Sequence, residues 1–239
     1  YGELITANIY RIKQGDKYLT TTNYYDGQEI TIPLDTTKSP ATNAQMYYKK
    51  YNKLKTRAHE LTRQIDLTKE NITYFENIEQ QLAHISVDDI DDIREELAEQ
   101  GYMKQRKQKN KKKKPTIQLQ TYVSTDGDTI LVGKNNKQND YLTNKKASKQ
   151  HLWFHTKEIP GSHVVILNDA PSENTIKEAA MLAGYFSKAG NSGQIPVDYT
   201  EIRHVHKPSG AKPGFVTYDH QKTLYATPDY DHIQKMKVT

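Results

Sequence analysis

The chain has 239 residues, 35% hydrophobic and 26% charged, with a net charge of +5 and no cysteine. That is too polar for one globule with a large core, and it fits a small globular domain plus an elongated, solvent-clad part. The composition excludes disulfides, thiolate metal sites and thiol nucleophiles, no apolar run is long enough to cross a membrane, and no charged-then-apolar leader is visible.

The sequence opens on Tyr1 and reads as part of a longer protein. Its charge is uneven. Residues 1–103 carry a net −5, residues 104–115 carry +8 with no acid, and residues 116–239 carry +2. A short, dense basic run either meets a polyanion or stays solvated as a linker.

In chain order, residues 3–13 read as a helix end, with Gly15 as its left-handed cap. YLTTTNYY (18–25) and QEITIPL (28–34) flank Asp26-Gly27, a hairpin signal, and Pro33 marks an edge strand. Ser39-Pro40 starts a long helix as cap and first position. Its apolar residues recur every three or four positions: Ala44, Tyr47, Tyr51, Leu54, Ala58, Leu61, Ile65, Thr68, Ile72 and Phe75. The stripe then shifts by one to Ile78, Leu82 and Ile85. Such a seam, ~65 Å long at 1.5 Å per residue, needs a long partner helix. No second segment of that length exists here. We expect an antiparallel coiled-coil arm whose first helix lies mostly upstream, with the hairpin at its tip. Homodimerisation through the same seam is the alternative.

A short acidic helix follows, capped by Ser86 and ended by Gly101. Asp88 and Asp89 sit in its first turn, where the helix dipole favours them, and Ile90, Ile93 and Leu97 form its stripe. Lys49, Lys50, Lys53, Lys55 and Arg57 cluster near the hairpin, whereas Asp66–Glu99 holds 11 acids against Lys69 and Arg94. The tip would attract nucleic acid and the base would repel it, unless this is an ordinary solvated coil surface.

KQRKQKNKKKKP (104–115) reads as a basic linker and domain boundary. Beyond it the pattern is compact α+β. Strands are expected at 117–123, 129–133, 152–156, 162–167, 198–207, 214–219 and 223–227. Helices are expected at 139–147 and 172–189, the latter ended by Gly190. The fold class is therefore α+β: a long antiparallel coiled-coil arm with a β-hairpin (1–103), the basic linker (104–115), and a compact domain (116–239).

Several residues of this last part suit RNA. In GKNNKQND, Lys134 and Lys137 can meet phosphates, while Asn135, Asn136, Gln138 and Asn139 can bond bases or sugars, a mixture suited to irregular RNA. The alternative is an Asn-rich turn capping its own backbone. Trp153 and His155 share a strand face and could stack a base, or Trp153 is core. Lys157 with the amides of Gly161 and Ser162 could form an anion-binding turn, and His163 adds charge there only if its pKa is raised. Lys207, Lys212 and the loop GAKPG (210–214) form a second phosphate-contact candidate, or an ordinary turn.

Catalysis is not expected. His155, His163, His204 and His206 raise the question of zinc, but cysteine is absent and no carboxylate stands nearby at ligand spacing. Adjacent Ser162 and His163 point to opposite faces of a strand and form no catalytic pair. No P-loop or dinucleotide fingerprint is present. We expect no metal and no cofactor.

GKNNKQNDYLTNKKA (133–147), WFHTKEIPGSHVVIL (153–167) and KPSGAKPGFVTYDHQKTLYATPD (207–229) together resemble the RNA-binding module of the NFACT family. YGELITANIYRIKQG, NYYDGQEITIPLD and SPATNAQMYYKKYNKLK resemble the middle coiled coil of the same family. Lys149-Gln150-His151-Leu152 departs from it where an acidic residue often precedes the tryptophan strand. The resemblance implies a ribosome quality-control factor that binds the large ribosomal subunit and tRNA and supports alanine tailing of stalled nascent chains. It implies a coil reaching the base of the ribosomal stalk, with Lys49, Lys50 and Lys53 as ribosome contacts. The family's anticodon-reading residues would lie in an N-terminal domain outside this sequence. The expected location is the cytoplasm. The family's other reported role, adhesion to host fibronectin and fibrinogen, would add the cell surface, reached by an unconventional route.

Overall fold

The structure, a computed structural model, describes residues 1–83, 85, 87–104 and 117–238. The expected Ser86 cap and, Lys104 apart, the basic run lie outside these residues. Two compact units are present, Tyr1–Glu70 and Asn71–Thr239. Packing thus groups the lower end of the long helix and the acidic helix with the C-terminal sheet, across the stretch read as a linker.

In the first unit, α1 (Gly2–Ala7) is followed by a 3-10 turn, Ile9–Arg11. The helix ends well before Gly15, which has φ +102 in a separate turn. The hydroxyl of Thr6 and the amide of Asn8 bond back to the Gly2 and Leu4 carbonyls, local bonds of the kind that compete with helix continuation. Strands β1 (Tyr18–Thr22) and β2 (Glu29–Pro33) pair antiparallel, Thr22 opposite Glu29, so Asp26-Gly27 lies within a six-residue loop. Helix α2 (Pro40–Leu82) begins where expected, the Ser39 hydroxyl accepting from the Thr42 amide at 3.2 Å. Leu4, Ile5, Leu19, Ile32 and Ala44 form this unit's core. Asn43 locks the hairpin exit to α2 through both backbone groups of Asp35, at 2.7 and 3.0 Å.

The seam on α2 is real as a pattern and uncovered by the described residues. Tyr51, Leu54, Leu61, Ile65 and Ile72 are 53–60% exposed, and among the described residues nothing packs along them. Tyr1 and Gly2 meet the rings of Tyr47 and Tyr48, while Leu4 and Ile5 share a cluster with Ala44, nearer the start of α2. That order is the one an antiparallel neighbour takes.

In the second unit a 3-10 turn, Val87–Asp89, leads into α3 (Ile90–Glu99). Tyr74, Ile78 and Ile93 pack α3 against the lower end of α2, and Gly101, at φ +81, ends the acidic segment as expected.

A six-stranded antiparallel sheet dominates this unit. Its strands are β3 (Gln120–Val123), β4 (Thr129–Val132), β5 (Leu152–Thr156), β6 (Val164–Ile166), β7 (Ile195–Glu201) and, beyond a separate pair, β10 (Lys222–Ala226), in the order β10-β7-β5-β6-β4-β3. The separate pair is β8 (Val205–His206) and β9 (Thr217–Tyr218). Alternation on β5 sends Phe154 to one face and Trp153 to the other. Phe154 joins Ile130, Val164 and Ile166 under α5 (Glu173–Tyr185) and α6 (Tyr230–Met236). Ala179, Ala180 and Ala183 on α5 are fully buried; their small side chains let the helix lie close to the sheet. Ser172 caps α5, and Asp229 caps α6, a helix not foreseen from the sequence. Each fully buried large apolar side chain here contributes about 1.5–3 kcal/mol.

The opposite face carries Leu131, Trp153, Val165, Leu142, Ile202 and Val205. It is closed by α4 (Asn136–Tyr141), a π-helical turn (Leu142–Lys146) and the β8–β9 pair.

Candidate nucleic-acid interface

The amide-rich stretch does not present itself to solvent. Asn135, Asn136, Gln138 and Asn139 are at most 3% exposed. Asn135 is the N-cap of α4, its side chain accepting from the Gln138 amide at 2.8 Å. The Asn139 side chain accepts from the His163 amide at 3.1 Å, and a Cβ at Gly133 would lie 2.2 Å from its oxygen. Asn136 is held from two sides: it accepts from Gln81 Nε2 at 2.7 Å and donates to Glu96 Oε1 at 2.9 Å. Its oxygen would also lie 2.2 Å from a Cβ at Gly214, which is why that left-handed position is glycine. These three asparagines therefore hold the fold instead of offering groups to bases.

The lysines of the same stretch are neutralised by the acids expected to repel nucleic acid. Lys134 pairs with Asp89, both side chains mostly buried, and Gln138 donates to the same carboxylate at 3.2 Å. Lys137 pairs with Glu95 at 2.6 Å. Tyr74 and Asn136 both donate to Glu96, and Gln80 donates to the Phe186 carbonyl at 2.7 Å. The lower end of α2, α3 and α4 are joined by this polar weld.

Other expected contacts are likewise engaged. Trp153 is fully buried and stacks on half-buried His155 with ring centroids 5.8 Å apart. Gly161 and Ser162 are buried, and the Ser162 amide donates to the Phe186 carbonyl at 3.1 Å, so no anion-binding turn forms there. His163 is buried against Thr143, with 2.8 Å between Nδ1 and the hydroxyl. Burial holds His155 below the ordinary histidine pKa, and burial followed by repulsion from His155 holds His163 well below it. Burial thus disfavours the charged form of both rings. Lys207 pairs with Asp140, which also accepts from the Gly214 amide at 3.2 Å and so anchors the GAKPG loop. Lys212 bonds Asn71 and the Tyr102 hydroxyl and lies 4.5 Å from the centre of the Tyr74 ring.

Lys157 remains exposed without an acidic partner among the described residues, as do Lys145, Lys146 and Lys149. These last three follow one another from the π-helical turn into the turn 148–151. That turn is bound to the end of β7: the Arg203 amide donates to the Lys149 carbonyl and the Ile202 amide to the His151 carbonyl, at 3.1 and 2.9 Å. Exposed Arg203, bonded to Glu201 at 2.9 Å, thus adjoins Lys149. Val216 packs into the cluster beneath, and its neighbour Phe215 is 51% exposed. Lys145, Lys146, Lys149 and Arg203 form a cationic edge able to bind a phosphate backbone, and Phe215 offers an open ring able to stack a base. The sequence holds a sign of it: Asp140 and Glu158 bracket a span with four lysines and no acid. In the first unit, Lys49, Lys50 and Lys53 are exposed on α2.

Two family models match the chain, one described as NFACT N-terminal and middle domains over residues 1–116, the other as NFACT protein RNA binding domain over residues 118–219. The chain is 54% identical to "Rqc2 homolog RqcH" of Bacillus subtilis (strain 168) and 48% identical to the protein of that name from Streptococcus suis (strain 05ZYH33). Both matches cover 99% of this chain but only 42% and 43% of those proteins, so the chain spans less than half the length of these relatives. The solved structure of the C-terminal of the fibronectin/fibrinogen-binding protein from Streptococcus suis matches at 44% identity with a TM-score of 0.75, over 99% of this chain and 85% of that one.

Proposed function

Since the chain belongs to the NFACT family, we propose that it is the RNA-binding and coiled-coil portion of a ribosome quality-control factor. In this reading it binds the obstructed large ribosomal subunit and tRNA and supports, without chemistry of its own, C-terminal alanine tailing of stalled nascent chains. The observation that carries the reading is identity above 40% to RqcH proteins along the whole chain. Phosphate contacts come from Lys145, Lys146, Lys149, Lys157 and Arg203, with Phe215 as the stacking ring. Lys49, Lys50 and Lys53 serve as ribosome contacts on the arm. Such a factor works in the cytoplasm, and among the described residues no helix is long and apolar enough to cross a membrane. In isolation, the open stripe on α2 lets two copies associate.

The test is binding of the purified chain to tRNA and to large subunits across a salt series. K145E/K146E/K149E should weaken binding and flatten the slope of log affinity on log salt by roughly 0.7–0.9 for each phosphate no longer neutralised. Unchanged affinity and slope would exclude this edge. A second reading, adhesion to host matrix, is favoured by the likeness to the streptococcal fibronectin/fibrinogen-binding protein. Binding of the same preparation to fibronectin at matched ionic strength separates the two.

A further inference from the structure

The sequence sets Asp219 beside His220 but far from His204, and the fold brings the three together. His204 ends a 3-10 turn, Ile202–His204, and Asp219 and His220 follow β9. The Asp219 amide donates to the His204 carbonyl at 3.2 Å, and the Asp219 carbonyl accepts from the Thr200 hydroxyl at 3.0 Å. Both backbone segments are thereby pinned to the end of β7. His204 Nδ1 lies 3.1 Å from Asp219 Oδ1, His220 Nε2 lies 3.9 Å from the same oxygen, and the two imidazole centroids are 4.5 Å apart. One ligand atom from each residue falls within 4.8 Å of the other two. His220 adopts φ +53, a left-handed conformation uncommon outside glycine.

We propose that His204, Asp219 and His220 form a binding site for a divalent transition-metal ion, with zinc the best match. Two imidazole nitrogens and a carboxylate oxygen are a zinc donor set, bonded at about 2.0–2.2 Å in tetrahedral geometry. That geometry sets ligand atoms roughly 3.4 Å apart. One pair already stands near this spacing, and the His220 ring is exposed and able to rotate the remainder. Three protein ligands leave the fourth position to water. Magnesium and calcium prefer all-oxygen shells and suit the site poorly. Arg203, next in the chain to His204, is bonded to Glu201, and Asp219 supplies the negative charge that meets the ion. A bound ion would tie the turn before β8 to the turn after β9 and brace the flap over Trp153.

The experiment is calorimetric titration of the full chain, first stripped by chelator, with zinc and with magnesium. The variants are H220N, D219N and H206A. Asparagine tolerates the left-handed backbone, so H220N removes the ligand without breaking the turn. His206 is exposed on β8 and outside the triad. One saturable zinc site is expected, with no magnesium response. H220N and D219N should each weaken it at least tenfold, and H206A should leave it unchanged. Melting temperature should rise with zinc in the unsubstituted chain and in H206A, but not in H220N, whose zinc-free melt matches the unsubstituted chain. Absence of saturable zinc binding, or affinity that survives both H220N and D219N, overturns the site.

Discussion

Glu96 gives the sharpest test of the polar weld. It is fully buried; Oε1 accepts from the Tyr74 hydroxyl at 2.8 Å and from Asn136 Nδ2 at 2.9 Å, and Oε2 has no partner among the described residues. Burial raises its pKa, outweighing the two hydrogen bonds and the nearby Lys137 that favour the anion. A carboxyl whose native pKa is raised binds its proton more tightly folded than unfolded. Its stabilising contribution is full below the unfolded value, about 4.3, and is lost as pH rises through the native value. E96Q retains an acceptor oxygen for both donors and removes the buried charge, so it should be neutral or stabilising at neutral pH. E96A strands the Tyr74 hydroxyl and the Asn136 amide at about 1–3 kcal/mol each, roughly 2–6 kcal/mol together. Urea denaturation of the three proteins at stepped pH reads this out. The stability of the wild type relative to E96Q should fall as pH rises. A drop in E96Q equal to that in E96A, or a difference that grows in favour of the wild type with rising pH, would refute a Glu96 whose native pKa burial raises.

Two further outcomes follow from the same packing. K134E sets a second anion against Asp89 in a mostly buried pair and should cost about 3–5 kcal/mol, measured by urea midpoint; D89K/K134E should restore part of that stability, because the pair is then reversed, not broken. L61E/I65E, on the uncovered stripe of α2, should shift the midpoint by less than about 0.5 kcal/mol in dilute protein, yet abolish the concentration-dependent rise in mass that light scattering should show for the unsubstituted chain.

Where local pattern and packing agree, the fold was legible. β5 reads residue for residue because aromatic and polar side chains alternate between two buried faces. The start of α2 reads from Ser39-Pro40. α4 begins at Asn136, earlier than the expected Asn139, although the signal was present: an asparagine cap followed three residues later by glutamine is the pattern of a helix start. The same side chains also fit an RNA-reading loop, and composition alone favoured the wrong use. α6 hides behind polar Asp231, His232 and Gln234, with only Asp229 to announce it. The burial of the Asn/Lys stretch was not legible, because it depends on Asp89, Glu95 and Glu96, about forty residues earlier in sequence. Asp219 meets His204 only through the chain reversal between β8 and β9, so the metal donor set was equally hidden.

This rearrangement changes how charge-reversal data must be read. Lys134 and Lys137 neutralise Asp89, in the turn before α3, and Glu95 of α3, so reversing them would reduce RNA binding by unfolding the module as readily as by removing cations from phosphates. The two causes separate in the salt dependence. Unfolding lowers the active fraction and leaves the slope unchanged, since every surviving molecule still neutralises the same phosphates. Removing a cation that truly meets a phosphate keeps the active fraction and flattens the slope. K134E should therefore act on active fraction and K149E on slope. If K134E instead flattened the slope in a fully folded protein, Lys134 would have to leave Asp89 for the nucleic acid, and the weld would open on binding.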